Sequence, residues 1–308
     1  MIFFCTLAPS LHAGKNFFIN PKKQEMENEN NNVILVAYDF TSIGDIAIEN
    51  AARMAKLLGY KICLLHVINN SSKKNLKKAK QPLASINEKL KTISASISRE
   101  HGIDADFIAR EGSIFTTIAK ESTKIGANFL VFGTHGKKGI QFLLGSFAIK
   151  LVKSCPVPVF VVQKPAKEAT FKDIVFPLDL QPGSKQKVKW AISLHKQFNC
   201  KFHLFVDVYP DEYVQNRIRA DLNQVKKILN KHNISYTENH SPSKSKFAFN
   251  ILKFAQDLKA DMIMVSTDPD KITWSLFGST DERIIYNQQK IPVMCINAQD
   301  LRVIIGGL

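Results

Sequence analysis

Phe129-Leu130-Val131-Phe132-Gly133-Thr134-His135-Gly136-Lys137-Lys138-Gly139, with Gly145-Ser146 six residues further on, is the stretch whose reading decides the fold. An apolar run that ends in a glycine-rich turn and leads into a helix start is the outline of an anion site. Glycine lets the backbone approach a ligand closely, and the free N–H groups of a helix N-terminus add donors and the positive end of the dipole. A purely steric strand-to-helix turn has the same composition, so the motif alone leaves both readings open.

Working outward, Val33-Ile34-Leu35-Val36-Ala37-Tyr38-Asp39 reads as a first strand ending in a carboxylate. A helical stretch from Ile43 to Leu58 leads into the strand Ile62-Cys63-Leu64-Leu65-His66-Val67. The first five strands fall near 33–38, 61–68, 104–109, 128–132 and 157–162. Ile86 to Ile97 has apolar residues at three- and four-residue spacings, and Ser113 is placed to cap a helix starting near Ile114. Strands alternating with helices argue an α/β fold with a parallel sheet covered on both faces.

The pattern then repeats. Ile174-Val175-Phe176-Pro177-Leu178-Asp179 answers the first strand, with 179 − 39 = 140 between the two aspartates. Ala260 to Thr267 answers Ala127 to Thr134, and Gly278-Ser279 answers Gly145-Ser146, both at an offset of 133. Ile291-Pro292-Val293-Met294-Cys295-Ile296 answers Val157-Pro158-Val159-Phe160-Val161-Val162. The expected organisation is an N-terminal extension over 1–32, domains over 33–166 and 167–299, and a short tail over 300–308. The extension has a short apolar start with no basic residue before it and an Asn/Glu/Lys-rich remainder, which suits a disordered tail or an upstream start ahead of Met26 better than a secretion signal.

At these residues the chain resembles the universal stress protein family. The matching positions are Asp39, His66-Val67, Gly133-Thr134-His135-Gly136, Gly145-Ser146 and the closing strand from Pro156 to Val162. The resemblance implies two tandem doubly wound, Rossmann-like domains, each a five-stranded parallel sheet of order 3-2-1-4-5 flanked by helices. Ligands of such sheets bind beyond the carboxyl ends of the strands where the order reverses, here between the strands that end at Asp39 and Gly133. It further implies ATP or a related adenine nucleotide, with or without Mg, in the first half. Ala37, Asp39 and Val67 would line the nucleoside side, and Phe132, Gly133, His135, Gly136, Gly145, Ser146 and Phe147 the phosphate side. A carboxylate accepts from ribose hydroxyls or a base amine, while hydroxyl and backbone donors suit phosphate.

Each of these has a plainer reading. Asp39 and Ser146 could be helix caps, His135 could bond locally, and His66 reads as a satisfied core histidine. Nucleotide-binding members space the glycine pair nine residues from the Gly-Ser, and here Lys137 to Leu144 is one residue shorter. In the second half Ser266-Thr267-Asp268-Pro269 replaces the glycine turn. Pro269 lacks a donor, and Asp268 and Asp270 put negative charge where phosphate would sit, so a pseudo-site is expected there.

Composition narrows the remaining classes. Hydrophobic content of 45% with 22% charged residues is that of a globular chain. The net charge of +15 is dispersed and carries no nucleic-acid signature, so a solvated surface is favoured over nucleic-acid binding. Five cysteines without a Cys-x-x-Cys pair fit neither a disulfide framework nor a zinc site and suggest a reducing, cytoplasmic setting. No apolar run is long enough to span a bilayer. A Walker loop and paired carboxylates for Mg are missing, so no catalytic residue and no protein-bound metal are expected, and at most a slow ATPase. The leading expectation is a stress-responsive regulatory module that binds adenine nucleotide in its first half. The alternative is a nucleotide-free interaction protein. Either would pack its halves as an intramolecular pseudo-dimer, with a regulatory protein partner and further homo-oligomerisation left open.

Overall fold

β1 (Val33–Ala37) and β4 (Ala127–Gly133) lie side by side at the centre of the first half, which brings the end of the first strand level with the start of the glycine turn. The structure, a computed structural model, describes residues 31–134, 144–165, 171–180, 187–243, 246–267 and 280–297. The remaining elements of the first half are α1 (Ser42–Leu58), β2 (Lys61–Ile68), α2 (Asn70–Lys78), α3 (Ser85–His101), β3 (Ala105–Glu111), α4 (Ile114–Lys124), α5 (Leu144–Ser154) and β5 (Val159–Val162). The second half repeats them as β6 (Asp173–Leu178), α6 (Val188–Phe198), β7 (Lys201–Val206), α7 (Glu212–Lys231), β8 (Tyr236–His240), α8 (Phe247–Leu258), β9 (Met262–Thr267), α9 (Thr280–Ile285) and β10 (Val293–Asn297).

All ten strands join in one sheet, ordered β3-β2-β1-β4-β5-β10-β9-β6-β7-β8. Each half is parallel in the expected order 3-2-1-4-5, and the halves meet where β5 and β10 pair antiparallel. In that seam Phe160 faces Met294, and 294 − 160 = 134 is also the offset between the closing strands, 291 − 157 = 134. An approximate two-fold axis therefore passes between two repeat-equivalent residues. Pairing the closing strands removes two edges that would otherwise invite association. The strands left at the outside, β3 and β8, carry Asp106, Arg110 and Glu111 on one edge and Glu238 and His240 on the other, charges that discourage strand addition.

Alternation along the strands sorts the core into two layers, each continuous across both halves. One face of the sheet carries Val36, Phe129, Phe160, Phe176 and Met294 beneath α1, α3, α6 and α7, and there Phe129 of the first half lies 6.2 Å from the Trp190 ring of the second. The other face carries Leu35, Leu65, Phe132, Val161 and Val265 beneath α4, α5, α8 and α9.

Local chemistry sets the element ends. Thr41 caps α1, its Oγ accepting from Gly44 N at 3.3 Å, and Gly59 closes the same helix at φ +67°, a conformation that favours glycine. Ser113 stands at the N-cap of α4 as expected but makes no side-chain cap bond. β5 begins at Val159 rather than Val157, because Pro158 has no N–H to give the ladder; its carbonyl still accepts from Leu130 N at 2.9 Å. α2 was not foreseen. None of its nine residues is fully buried and its one apolar side chain, Leu76, packs part-buried on the core, so no apolar periodicity marks it; Asn69 starts it by accepting from Ser72 N at 2.9 Å.

Candidate functional site

The crevice between β1 and β4 is built by the five residues after Ala37. Tyr38 is buried; its N–H donates to Leu65 O at 2.9 Å, and its hydroxyl donates to Asp45 Oδ1 at 2.8 Å. Burial, and then that bond to a carboxylate, push the phenol well above its ordinary range. Asp39 is exposed at the mouth of the crevice. Its Oδ1 accepts from Thr41 N at 3.1 Å and from Thr41 Oγ at 2.5 Å. The hydroxyl of Thr41 thus donates to Asp39 and accepts from Gly44, so the carboxylate braces the α1 cap without being the cap. That corrects the simple capping reading of Asp39, since the N-cap residue of α1 is Thr41.

Two close approaches shape the same corner. A Cβ on Gly133 would stand 2.3 Å from Ile43 O and 2.8 Å from Ile43 Cγ1, so β4 runs directly under the first turn of α1. A Cβ on Gly44 would lie 2.8 Å from the Tyr38 ring and 3.0 Å from Asp39 Oδ1. Between them Phe40 holds φ +62°, a strained conformation for an aromatic residue, and its ring sits 4.6 Å from His66 and 5.1 Å from Tyr38.

His66 is a core histidine with both nitrogens engaged. Its Nδ1–H donates to Tyr38 O at 2.8 Å, which leaves Nε2 to accept from Ser72 Oγ at 3.2 Å. Burial lowers its pKa below the ordinary 6.5, against smaller upward pulls from the Tyr38 carbonyl and from Asp39. The neutral ring is therefore the folded form, and the unfolded chain binds the proton more readily. Stability from His66 is complete above the unfolded pKa of about 6.5 and is lost as pH falls through it toward the lower folded value. Thermal denaturation from pH 7 to pH 5 should show a shallower loss of Tm for His66→Gln than for the parent chain. Equal slopes would remove His66 as the cause.

Of the ten residues singled out from the sequence, Ala37, Val67 and Phe132 share the face of the sheet under α4 and α5, with Val67 and Phe132 buried and Ala37 partly open. Asp39 lies two residues beyond the end of β1, and Gly133 ends the neighbouring strand β4. Gly145 and Ser146 lie in the first turn of α5. The ring of Phe147 packs on Phe115, with centroids 5.1 Å apart, and joins α5 to α4. His135 and Gly136 lie outside the described residues, as do Asp268, Pro269, Asp270, Gly278 and Ser279 of the second half. Thr41, Gly44 and Phe40 were missed. The Asp-x-Thr spacing ahead of the Ile43–Leu58 helix was the available signal for the first.

In the second half Thr267 ends β9 and is buried, its Oγ donating to Asn297 Oδ1 at 2.5 Å rather than facing a crevice. Among the described residues no group of three or more His, Cys, Asp or Glu is placed to hold a metal ion, and no helix is long and apolar enough to cross a membrane. Cys63, Cys155, Cys200 and Cys295 are buried thiols. Burial pushes the thiols of Cys63 and Cys200 up to about 11 and about 12, which makes them poor nucleophiles and suits their place in the core.

Comparison with known proteins agrees with this geometry. Residues 30–163 match the model of the universal stress protein family. A universal stress protein of Methanocaldococcus jannaschii is 37% identical over 82 residues, which is 26% of this chain and 48% of that protein. The chain therefore spans about half the length of the curated relative it matches. Among solved structures, a universal stress protein from Archaeoglobus fulgidus superposes with a TM-score of 0.70 at 18% identity, covering 87% of this chain and 99% of that one. A protein of unknown function from Pseudomonas aeruginosa PAO1 gives 0.61 at 17% identity, covering 89% and 95%. At such identities the likeness is one of fold, and it extends over both halves.

Proposed function

The chain belongs to the universal stress protein family through residues 30–163, and from that premise we propose that its first half binds ATP or a related adenine nucleotide and that occupancy regulates its contacts with other proteins. What supports this reading is that Asp39 follows β1 and Gly133 ends the neighbouring parallel strand β4, at the point where strand order reverses, with a helix start at Gly145-Ser146 next along the chain. Asp39 is exposed and its carboxylate is fixed by Thr41, which suits it as an acceptor for a ribose hydroxyl or base amine. The first turn of α5 presents backbone donors and the positive end of a helix dipole for phosphate. Gly136 and His135 would complete the phosphate side, with Mg on the phosphates if it binds. The second half keeps Asp179 but not the glycine turn, and is read as a pseudo-site.

Isothermal titration should give one ATP per chain. Asp39→Ala should weaken it about tenfold, the scale of a lost charge-assisted hydrogen bond, while Asp179→Ala leaves it within about twofold. Two equivalent sites, or equal effects of the two substitutions, would sink the assignment. A well-folded chain that binds no ATP favours a nucleotide-free interaction protein, a reading supported by the short Lys137–Leu144 spacing and by the steric reason Gly133 has for being glycine.

A further inference from the structure

The helix that begins at the proposed phosphate site is held at both ends by the other half of the chain. At its C-terminal end, Asn297 Nδ2 donates to Val152 O at 2.9 Å, Lys153 O at 3.3 Å and Cys155 O at 2.7 Å. The last carbonyls of a helix have no partner within it, so one buried amide from β10 satisfies most of the free end of α5. One turn in from the other end, the buried Tyr286 hydroxyl accepts from Ala148 N at 3.2 Å. Asn297 is itself fixed, since its Oδ1 accepts the Thr267 hydroxyl where the degenerate turn of the second half begins.

The reverse contact exists as well. Gln163, which follows β5, stands 297 − 163 = 134 before Asn297, the offset of the closing strands. Its Nε2 donates to Ile285 O and Asn287 O, both at 3.2 Å, at the C-terminal end of α9. Each half thus caps the last described helix of the other with the amide at the end of its closing strand.

We propose that Tyr286 and Asn297 are positioning residues for the first half's anion site: the second half, without binding nucleotide itself, sets the place of α5 and so the affinity of the site. This rests on the nucleotide reading above for its effect on affinity, but not for its effect on α5. The pseudo-symmetric pair supplies an internal control, because Asn297→Ala and Gln163→Ala remove equivalent buried caps and only the first touches the helix of the glycine turn.

The test combines hydrogen exchange with ATP titration on the full chain. Asn297→Ala should raise exchange of the amides at 148–155 and weaken ATP about tenfold, as expected when buried carbonyls lose their donor. Gln163→Ala should raise exchange at 282–287 and leave ATP within about twofold. Tyr286→Phe, which keeps the ring and removes only the hydroxyl, should weaken ATP about threefold and serves if Asn297→Ala does not fold. Unchanged exchange of α5 in Asn297→Ala overturns the clamp. Equal weakening of ATP by Asn297→Ala and Gln163→Ala also overturns it, as that would be general destabilisation. If the parent chain binds no ATP, the nucleotide reading fails and the effect on affinity with it, and exchange alone then decides whether α5 is clamped.

Discussion

Gly133→Ala should lower stability by about 3 kcal/mol, at the upper end of what overpacking costs. The single added methyl would meet Ile43 O at 2.3 Å, well inside contact, and the backbone of a capped helix cannot yield as a flexible side chain could. β4 is also pinned on its other side, where Gly133 is paired with Val162 in the sheet. Either α1 must lift or the β4 ladder must bend. A loss of that size corresponds to a fall in Tm of roughly 5 °C for a chain of this length. Urea denaturation of the alanine variant separates two roles that sequence alone confounds. If Gly133 served only to let a phosphate approach, the variant would keep its midpoint and lose ATP. The geometry requires the midpoint itself to move, and an unchanged midpoint would refute it.

Phe160→Ala should cost still more, about 4 kcal/mol, because it removes a fully buried ring from the seam rather than adding an atom beside a helix. Phe160 is 1% exposed, its ring lies 5.4 Å from Phe129 and 6.0 Å from Phe171, and its backbone pairs with Met294. Both layers of the core run through this point into the second half. Calorimetry should therefore show one transition that moves as a whole in the variant, since neither half keeps its core when the seam opens. Two transitions, of which only one shifts, would mean that the halves fold independently and that the shared core contributes little.

The parts of the fold that were legible were those written in repeated apolar patterns. Strands one, two and four, the duplication, and the meeting of the closing strands all follow from residues that recur at offsets of 133 to 140. α2 escaped because a helix with a single apolar residue, Leu76, leaves no periodic trace. The site was legible in outline and less so in role. The sequence pattern reads Gly133 and Asp39 as ligand-facing residues, whereas what the structure shows of them is that Gly133 is demanded by Ile43 and that Asp39 works through Thr41. Phe147 is read as a phosphate-side residue from its position after Gly-Ser, and its packing on Phe115 was not legible in that motif. Gln163 and Asn297 could not be read at all. They differ in type, sit just beyond the matched strands, and act on helices more than a hundred residues away.

The axis between Phe160 and Met294 bears on how the two crevices came to differ. In an assembly of two separate identical chains, the residue on a two-fold axis faces its own copy, and every substitution is made twice, in both sites and on both sides of the seam. Joining the copies in one polypeptide ends that constraint. A phenylalanine can then face a methionine, a glutamine can answer an asparagine, and one crevice can surrender its glycines while the other retains them, without either change being imposed on the opposite side. Covalent linkage thereby turns symmetry from a requirement of the architecture into an inheritance that selection is free to erode one residue at a time.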